Sequence, residues 1–396
     1  MAAPMRSTFY IRKLGCYMFA SPLRDEIKRK FWQQHFTSFK RSWYSTTRNK
    51  KIWEFGPKLS CAVALAGCTG YIAHSCLKST NTVIASGGNP IIENIKRSRQ
   101  VRVDTDNSGL KLTLFQFQTC PFCCKVRAVL DYYGFSYDVV EVNSVTKKQL
   151  RWSDYRKVPV LVCETGNSDE FLQMYESSVI VSLLETFLID KKQSLQQLLT
   201  FYPGIEVTEG KRRKKMDFPN RYFIMYQDSK APGSMAQRKE EREWREWVDD
   251  VFVHVLSPNV YRTPSEALES FYYFSDVGEW ERNFSTPERY LVIYIGAAAM
   301  YFLGKVLKKR HQLKDDVRQS LYDTCTEWMK GIGPSRQFMG GNQPNLADLS
   351  MYGVLCSIEG CGTFQDLLKN TTVGPWFYRT KSAVQSHAGA HPLRES

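Results

Sequence analysis

A strand-to-helix junction built around Cys120-Pro121-Phe122-Cys123 narrows the fold of this chain more than its composition does. Leu112, Leu114 and Phe117 lie among Thr113, Phe115 and Gln116 in a short run that favours extended backbone. The cysteine pair follows at once, and beyond it Val126, Val129, Leu130 and Tyr133 recur at i, i+3, i+4 and i+7 until Gly134. That spacing is the apolar stripe of a helix, closed by a glycine suited to a left-handed cap. Cys120 therefore falls at a helix start, where unpaired N–H groups and the positive end of the helix dipole favour a thiolate. Pro121 fits the first turn. Cys123, one turn further in, is either the resolving thiol or a packing residue. Burial alone would not account for Pro121 or for the junction. Zinc would need a second ligand pair, and Cys356 and Cys361 stand elsewhere with no His nearby.

A second extended run, Tyr137 to Val142, completes strand, helix, strand, the length of a right-handed parallel crossover. Arg156 to Val162 reads as a strand with Pro159 at its head, where a missing N–H costs no ladder bond. A cis peptide there would turn the Val158 backbone outward beside Cys120. Glu176-Ser177-Ser178 opens an apolar helix through Val179, Ile180, Leu183, Leu184 and Phe187, with Ser177 or Ser178 as its cap and a helix N-terminus able to receive a carboxylate. From about Arg242 the period becomes helical throughout. Trp244, Trp247, Val248, Val251 and Val255 form one stripe ended by Ser257-Pro258, and Thr263-Pro264-Ser265-Glu266 and Thr286-Pro287-Glu288 restart helices. Val317, Leu321, Cys325 and Trp328 make another stripe, and Asn345-Leu346-Ala347-Asp348 is a capping box before a nearly all-apolar helix. The fold class is α/β followed by an all-α half, with a substrate cleft expected between them.

Charge bears on partners only once it is located. The formal net charge is +14, but residues 1 to 60 hold 13 Lys and Arg against 3 acids, so the remainder is nearly balanced and nucleic acid is not an expected partner. The first 58 residues, basic and rich in Ser, Thr and aromatics, have the composition of a transit segment. From Leu59 to Leu77 no Asp, Glu, Lys or Arg occurs over 19 residues, just long enough for a single membrane crossing, with a buried or interfacial helix as the alternative. The 14 charge-free residues from Leu291 to Gly304 fit a buried core helix better. Lys211-Arg212-Arg213-Lys214-Lys215 reads as a solvated loop, with contact to anionic lipid or nucleic acid as the alternative. The expected domain plan is 1–58 leader, 59–78 membrane helix, 79–108 linker, 109–190 Cys-bearing α/β domain, 191–241 insertion, 242–382 helical domain and 383–396 tail.

Strand, Cys-Pro-Phe-Cys, helix, strand, Val-Pro and Glu-Ser-Ser before a helix resemble the thioredoxin-like domain of glutaredoxins and glutathione transferases. Over residues 110 to 380 the chain also resembles the membrane-associated prostaglandin E synthase type 2 family. Tyr155-Arg156-Lys157-Val158-Pro159, Ser257-Pro258-Asn259-Val260-Tyr261-Arg262-Thr263-Pro264, Gly296-Ala297-Ala298-Ala299-Met300-Tyr301, and Phe338-Met339-Gly340-Gly341 with Pro344-Asn345-Leu346-Ala347-Asp348 carry that resemblance. It implies isomerisation of prostaglandin H2 to prostaglandin E2, with Cys120 and Cys123 as catalytic residues. It implies glutathione held by Val158, Pro159, Glu176, Ser177 and Phe117, and haem bound through the glutathione thiolate. It implies a homodimer, and a Golgi-anchored form with proteolytic release to the cytoplasm, where the leader suggests mitochondria. The family carries a tyrosine where this chain has Phe117, which removes a hydroxyl from the site. Two other readings stay open: a glutaredoxin-like oxidoreductase cycling Cys120 and Cys123 through a disulfide, and a membrane-tethered binding module without activity.

Overall fold

The computed structural model describes residues 84–86, 94–164, 170–189, 192–209, 213–226 and 233–390. The leader and the apolar segment expected to cross a membrane lie outside the described residues, as does the end of the tail. The first half is built on strands β1 (Ile84–Ser86), β2 (Arg99–Val101) and β3 (Leu112–Gln116), helix α1 (Pro121–Tyr132), strands β4 (Tyr137–Glu141), β5 (Val160–Glu164) and β6 (Glu170–Tyr175), and helix α2 (Ser177–Ile189). The six strands form one sheet in the order β1-β6-β5-β3-β4-β2. β3 and β4 run parallel across the α1 crossover, with Leu114 opposite Val139, and β5 lies antiparallel to both β3 and β6. This is the thioredoxin-like arrangement. Phe115, Val140, Val160, Val162 and Phe171 pack on one face, under Trp152. By the period of two, Leu114, Val139, Leu161 and Met174 turn to the other, and all four are buried.

The stretch 79–108, expected as a linker, supplies β1 and β2, which pair antiparallel to β6 and β4 at the two edges of the sheet. Three-residue edge strands carry too few residues for a periodic signal. Between the halves come α3 (Leu195–Leu199) and a hairpin of β7 (Ile205–Glu209) and β8 (Arg213–Asp217). Part of the basic run expected as a loop is therefore strand.

The second half contains α4 (Met235–Trp247), a π-helical turn over Val248–Phe252, α5 (Val253–Val260), α6 (Pro264–Val277), α7 (Trp280–Asn283), α8 (Thr286–Arg310), α9 (Val317–Ile332), α10 (Leu346–Cys356), α11 (Gly362–Asn370) and α12 (Val373–Gln385). Thr263 caps α6 by accepting from the Glu266 N–H, and Asn345 and Asp348 form the capping box of α10. Two expectations needed correction. The helical run does not stop at Ser257-Pro258 but continues to Val260 with Pro258 inside it, directly after the π turn. The apolar run from Leu291 is not a buried core helix either: α8 buries only 22% of its most apolar window. It is long and apolar enough, by length and composition, to cross a membrane, yet its inner face packs against the folded body, with Gly296 against Phe271 of α6 and Gly304 beside Pro258 of α5.

The halves meet where α10 crosses α1. Gly353 makes this approach feasible, since a Cβ there would lie 2.5 Å from the Lys125 Cα. Trp328 centres the helical core, with its ring 5.3 Å from Trp244 and 5.2 Å from Trp376. Buried Asp348 ties this core together by accepting from the N–H groups of Met339 and Gly340 and from the Trp376 indole.

Candidate functional site

Cys120 is the N-cap of α1, in extended backbone conformation, with Pro121 as the next residue. Its side chain caps nothing in the helix, so the sulfur is left for other partners. It is half-buried, whereas Cys123 is wholly buried. The Cys123 thiol donates to the Cys120 sulfur, and this bond outweighs burial in lowering the Cys120 pKa, with the N–H groups of Cys123 and Phe122 and the charge of Arg127 adding to it. Cys123 is pushed the opposite way. Burial dominates, and its role as donor to Cys120 reinforces it, while the Phe117 N–H points at its sulfur. The Phe117 N–H donates to the Cys123 sulfur, and the Cys123 S–H and the Phe122 N–H donate to the Cys120 sulfur. One thiol stays protonated so that the other can ionise. Phe117 enters this relay through its backbone, and its ring packs on the sheet core.

Arg127 is positioned by the same turn. Its guanidinium donates to the Gln118 carbonyl (2.7 Å) and the Cys124 sulfur (3.1 Å) and to the Gln116 side chain. Beneath it, buried Glu141 accepts from the Gln118 N–H at 2.8 Å, and desolvation pushes its pKa up to about 7.

Around the mouth of the site, Val158 and Pro159 are joined by a cis peptide. The ladder of β5 begins only at Val160, opposite Phe115 and Tyr175, so the Val158 backbone lies beyond the paired strand. Glu176 has a left-handed backbone, φ 70°, and its carboxylate accepts from the Val179 N–H at 3.0 Å. Glu176 thus caps α2, correcting the expectation that Ser177 or Ser178 would do so. Ser177 is buried in the first turn. Ser178 instead joins a buried network, donating to Asp249 at 2.6 Å and accepting from the Lys125 ammonium at 2.8 Å. Burial raises the Glu176 pKa against the pull of Lys125 and Arg221, whose charges face it. A ligand carboxylate at the α2 N-terminus would meet the same two cations.

Two tyrosines escaped the residue-by-residue reading. Burial raises the pKa of both Tyr155 and Tyr261, and the charge of Cys120 adds to each, with Cys123 acting on Tyr155 as well. Both are thus protonated hydroxyls within electrostatic reach of the thiolate. Tyr155 stacks on Tyr175 at 4.4 Å, fixing its ring. Both stand inside runs that carry the resemblance, but only the fold brings them to Cys120.

A cavity of about 220 Å³ is lined by Gln118, Thr119, Arg127, Tyr273, Tyr352 and Cys356 among others. Cys120 does not line it. Among the described residues no group of three His, Cys, Asp or Glu is arranged to hold a metal ion, and His254 and His311 stack on each other at 4.1 Å where α5 meets the end of α8.

A family model described as glutathione S-transferase, N-terminal domain, matches residues 114–186. Prostaglandin E synthase 2 of Mus musculus is 42% identical over 310 residues, covering 76% of this chain and 79% of its own. Prostaglandin E synthase 2 of Danio rerio is 44% identical over 294 residues, covering 73% and 74%. Among solved structures, glutathione transferase F7 from Populus trichocarpa aligns at 13% identity over 71% of this chain and 99% of its own, with a TM-score of 0.39.

Proposed function

The chain belongs to the prostaglandin E synthase 2 family, and on that premise we propose that it isomerises prostaglandin H2 to prostaglandin E2 with Cys120 as the reacting thiolate. One observation carries the residue assignment: Cys120 ends the donor relay at the start of α1, where three donors and a nearby guanidinium lower the pKa of its sulfur.

The reaction opens a 9,11-endoperoxide to a hydroxyketone without net redox change. The Cys120 sulfur bonds to the oxygen on C9 as the O–O bond breaks, leaving an alkoxide on C11. The Tyr155 hydroxyl protonates that alkoxide, and the resulting phenolate removes the C9 proton. The C9–H electrons form the ketone, the S–O bond breaks, and the thiolate and the protonated tyrosine return. Burial of Tyr155 gives this exchange its direction, since a desolvated phenolate is a strong base.

Glutathione fits the residues around the thiol. The Val158 backbone beyond the β5 ladder is free to pair with a peptide, with Pro159 fixing the turn. Glu176, Ser177 and the α2 N-terminus suit the γ-glutamyl end, and Phe117 walls the sheet side. Bound there, glutathione would supply a second thiol beside Cys120. Haem would draw its iron ligand from that thiol. The anchor at 59–78, a Golgi or mitochondrial membrane with a released form, and a homodimer complete this reading.

The test is product analysis of wild type, Cys120→Ser and Cys123→Ala, with glutathione and haem varied independently. Loss of prostaglandin E2 in Cys120→Ser, with Cys123→Ala keeping isomerase activity at a rate lowered by its weaker thiolate but losing two-thiol disulfide reduction, supports the assignment. Isomerase activity that survives Cys120→Ser removes it. A glutaredoxin-like cycle, suggested by the direct Cys123 to Cys120 hydrogen bond, predicts equal loss in both variants.

A further inference from the structure

Glu141 is the last residue of β4, and the parallel ladder with β3 ends on it, opposite Gln116. Helix α1 starts only at Pro121, so Phe117, Gln118 and Thr119 cross to the reactive cysteine outside both the ladder and the helix. Side chains hold this turn instead. The carboxyl of buried Glu141 accepts from the Gln118 N–H at 2.8 Å and from the Gln116 side-chain amide at 3.3 Å. On the other flank, the Gln118 carbonyl accepts from Arg127 of α1 at 2.7 Å. Both backbone polar groups of Gln118 are thus gripped, one by an acid from β4 and one by a base from α1.

We propose that Glu141 is a positioning residue for Cys120, acting through the peptide that joins Phe117 to Gln118. That peptide is a rigid plane whose N–H and C=O point opposite ways. Its N–H is the one that Glu141 takes, and its C=O accepts from the Cys120 N–H at 3.0 Å. Fixing one end of the plane therefore fixes the other, and with it the backbone that carries the Cys120 sulfur. The adjoining plane, hinged to it at the Phe117 Cα, bears the N–H aimed at the Cys123 sulfur. One carboxyl on β4 thus steadies both cysteines without touching either. Burial raises its pKa, and the charges of Arg127 on α1 and Arg99 on β2 pull the other way. Cys124, also on α1, is the further titratable group facing it, and the Glu141 charge opposes ionisation there. Protonated or not, the carboxyl offers the Gln118 N–H an oxygen, so the grip persists across its titration.

This inference rests on the reading of Cys120 as the reacting thiolate, and alkylation tests it independently of the reaction. The full chain in detergent is compared as wild type, Glu141→Gln, Glu141→Asp and Glu141→Leu. Glu141→Gln keeps an oxygen for the Gln118 N–H and gives up the longer bond to Gln116. Glu141→Asp keeps the charge but falls a methylene short, and Glu141→Leu loses charge and reach together. Each is read by mass-resolved iodoacetamide labelling of Cys120 against pH, by kcat and KM for prostaglandin H2, and by its circular dichroism melt. In Glu141→Asp and Glu141→Leu the labelling midpoint should rise by about one pH unit and kcat should fall roughly tenfold with KM little changed, while Glu141→Gln stays within about threefold of wild type. Should Glu141→Leu fail to fold, Glu141→Asp carries the comparison. A shifted Glu141→Gln beside a normal Glu141→Asp overturns the positioning role and assigns the effect to charge. Variants that melt lower but label at Cys120 as wild type does overturn it in favour of a carboxyl that serves stability alone. Midpoints that move as expected while Cys120→Ser keeps its isomerase activity uphold the positioning and overturn only the thiolate reading.

Discussion

Ionising a sulfur at a half-buried position demands donors in a fixed order, and here each is supplied by an atom that sequence spacing alone could have placed. Residues three apart across the first turn of a helix bring Cys123 under Cys120, and the last strand residues bring the Phe117 N–H to Cys123. The rate of alkylation at Cys120 should follow a titration below that of an ordinary thiol, and Cys123→Ala should move its midpoint up by removing the largest stabilising bond. Mass-resolved iodoacetamide labelling against pH reads this directly; an unmoved midpoint would mean that Cys123 is only packing. Because Phe117 contributes its backbone, Phe117→Tyr should leave that midpoint in place and change turnover by no more than about threefold. Tyr155→Phe should lower kcat by roughly a hundredfold with KM little changed. The cysteine pair, Val158, Pro159 and Glu176 were legible because each sits at a boundary where local chemistry is distinctive. Tyr155 and Tyr261 were not, since tyrosine serves equally in cores and sites, and only tertiary packing brings these two to the thiol.

At the level of strands and helices, the readable signals were those with a period or a cap. The parallel crossover, the Thr263 and Asn345 caps and the stripe through Trp328 follow from spacing. What failed was apolarity without periodicity. The run in α8 is apolar nearly all round, so the sequence cannot say whether its outer face meets protein or water. Buried carboxyls escape for a similar reason. Nothing beside Glu141 in the sequence marks it as desolvated, yet burial pushes its pKa up to about 7 from the ordinary 4.5. The native state then holds its proton longer than the unfolded chain does. The protein should lose stability as pH rises from about 4.5 to about 7, by at most a few kcal/mol from this group. Glu141→Gln keeps an acceptor for the Gln118 N–H, and urea melts across that window should show a shallower decline than wild type. A parallel decline in the two proteins would place the effect elsewhere.

The two halves are held in register by an ion pair that neither half announces. Lys125 is 1% exposed on α1, in the sheet-bearing half, and its ammonium meets Asp249 of the π turn at 2.7 Å. Asp249 also accepts from Ser178 and from the Tyr222 hydroxyl at 3.0 Å. Burial opposes its ionisation, but Lys125 and these two donors hold its carboxyl below the usual range. A lysine inside an apolar stripe usually extends to solvent, so this link becomes visible only once the two halves are folded together. Asp249 stands in the π turn, Val248–Phe252, where the helical run takes up one added residue. Lys125→Met leaves a buried carboxylate without its counter-charge and should cost about 3–5 kcal/mol, and Asp249→Leu should cost as much by stranding the ammonium. Replacing both removes two desolvated charges at once, so Lys125→Met/Asp249→Leu should recover most of the single-variant loss. Thermal unfolding of the three variants forms a double-mutant cycle. A double loss far smaller than the sum of the single losses locates the join between the halves in this pair, whereas additive losses would locate it in the packing of Gly353 against α1.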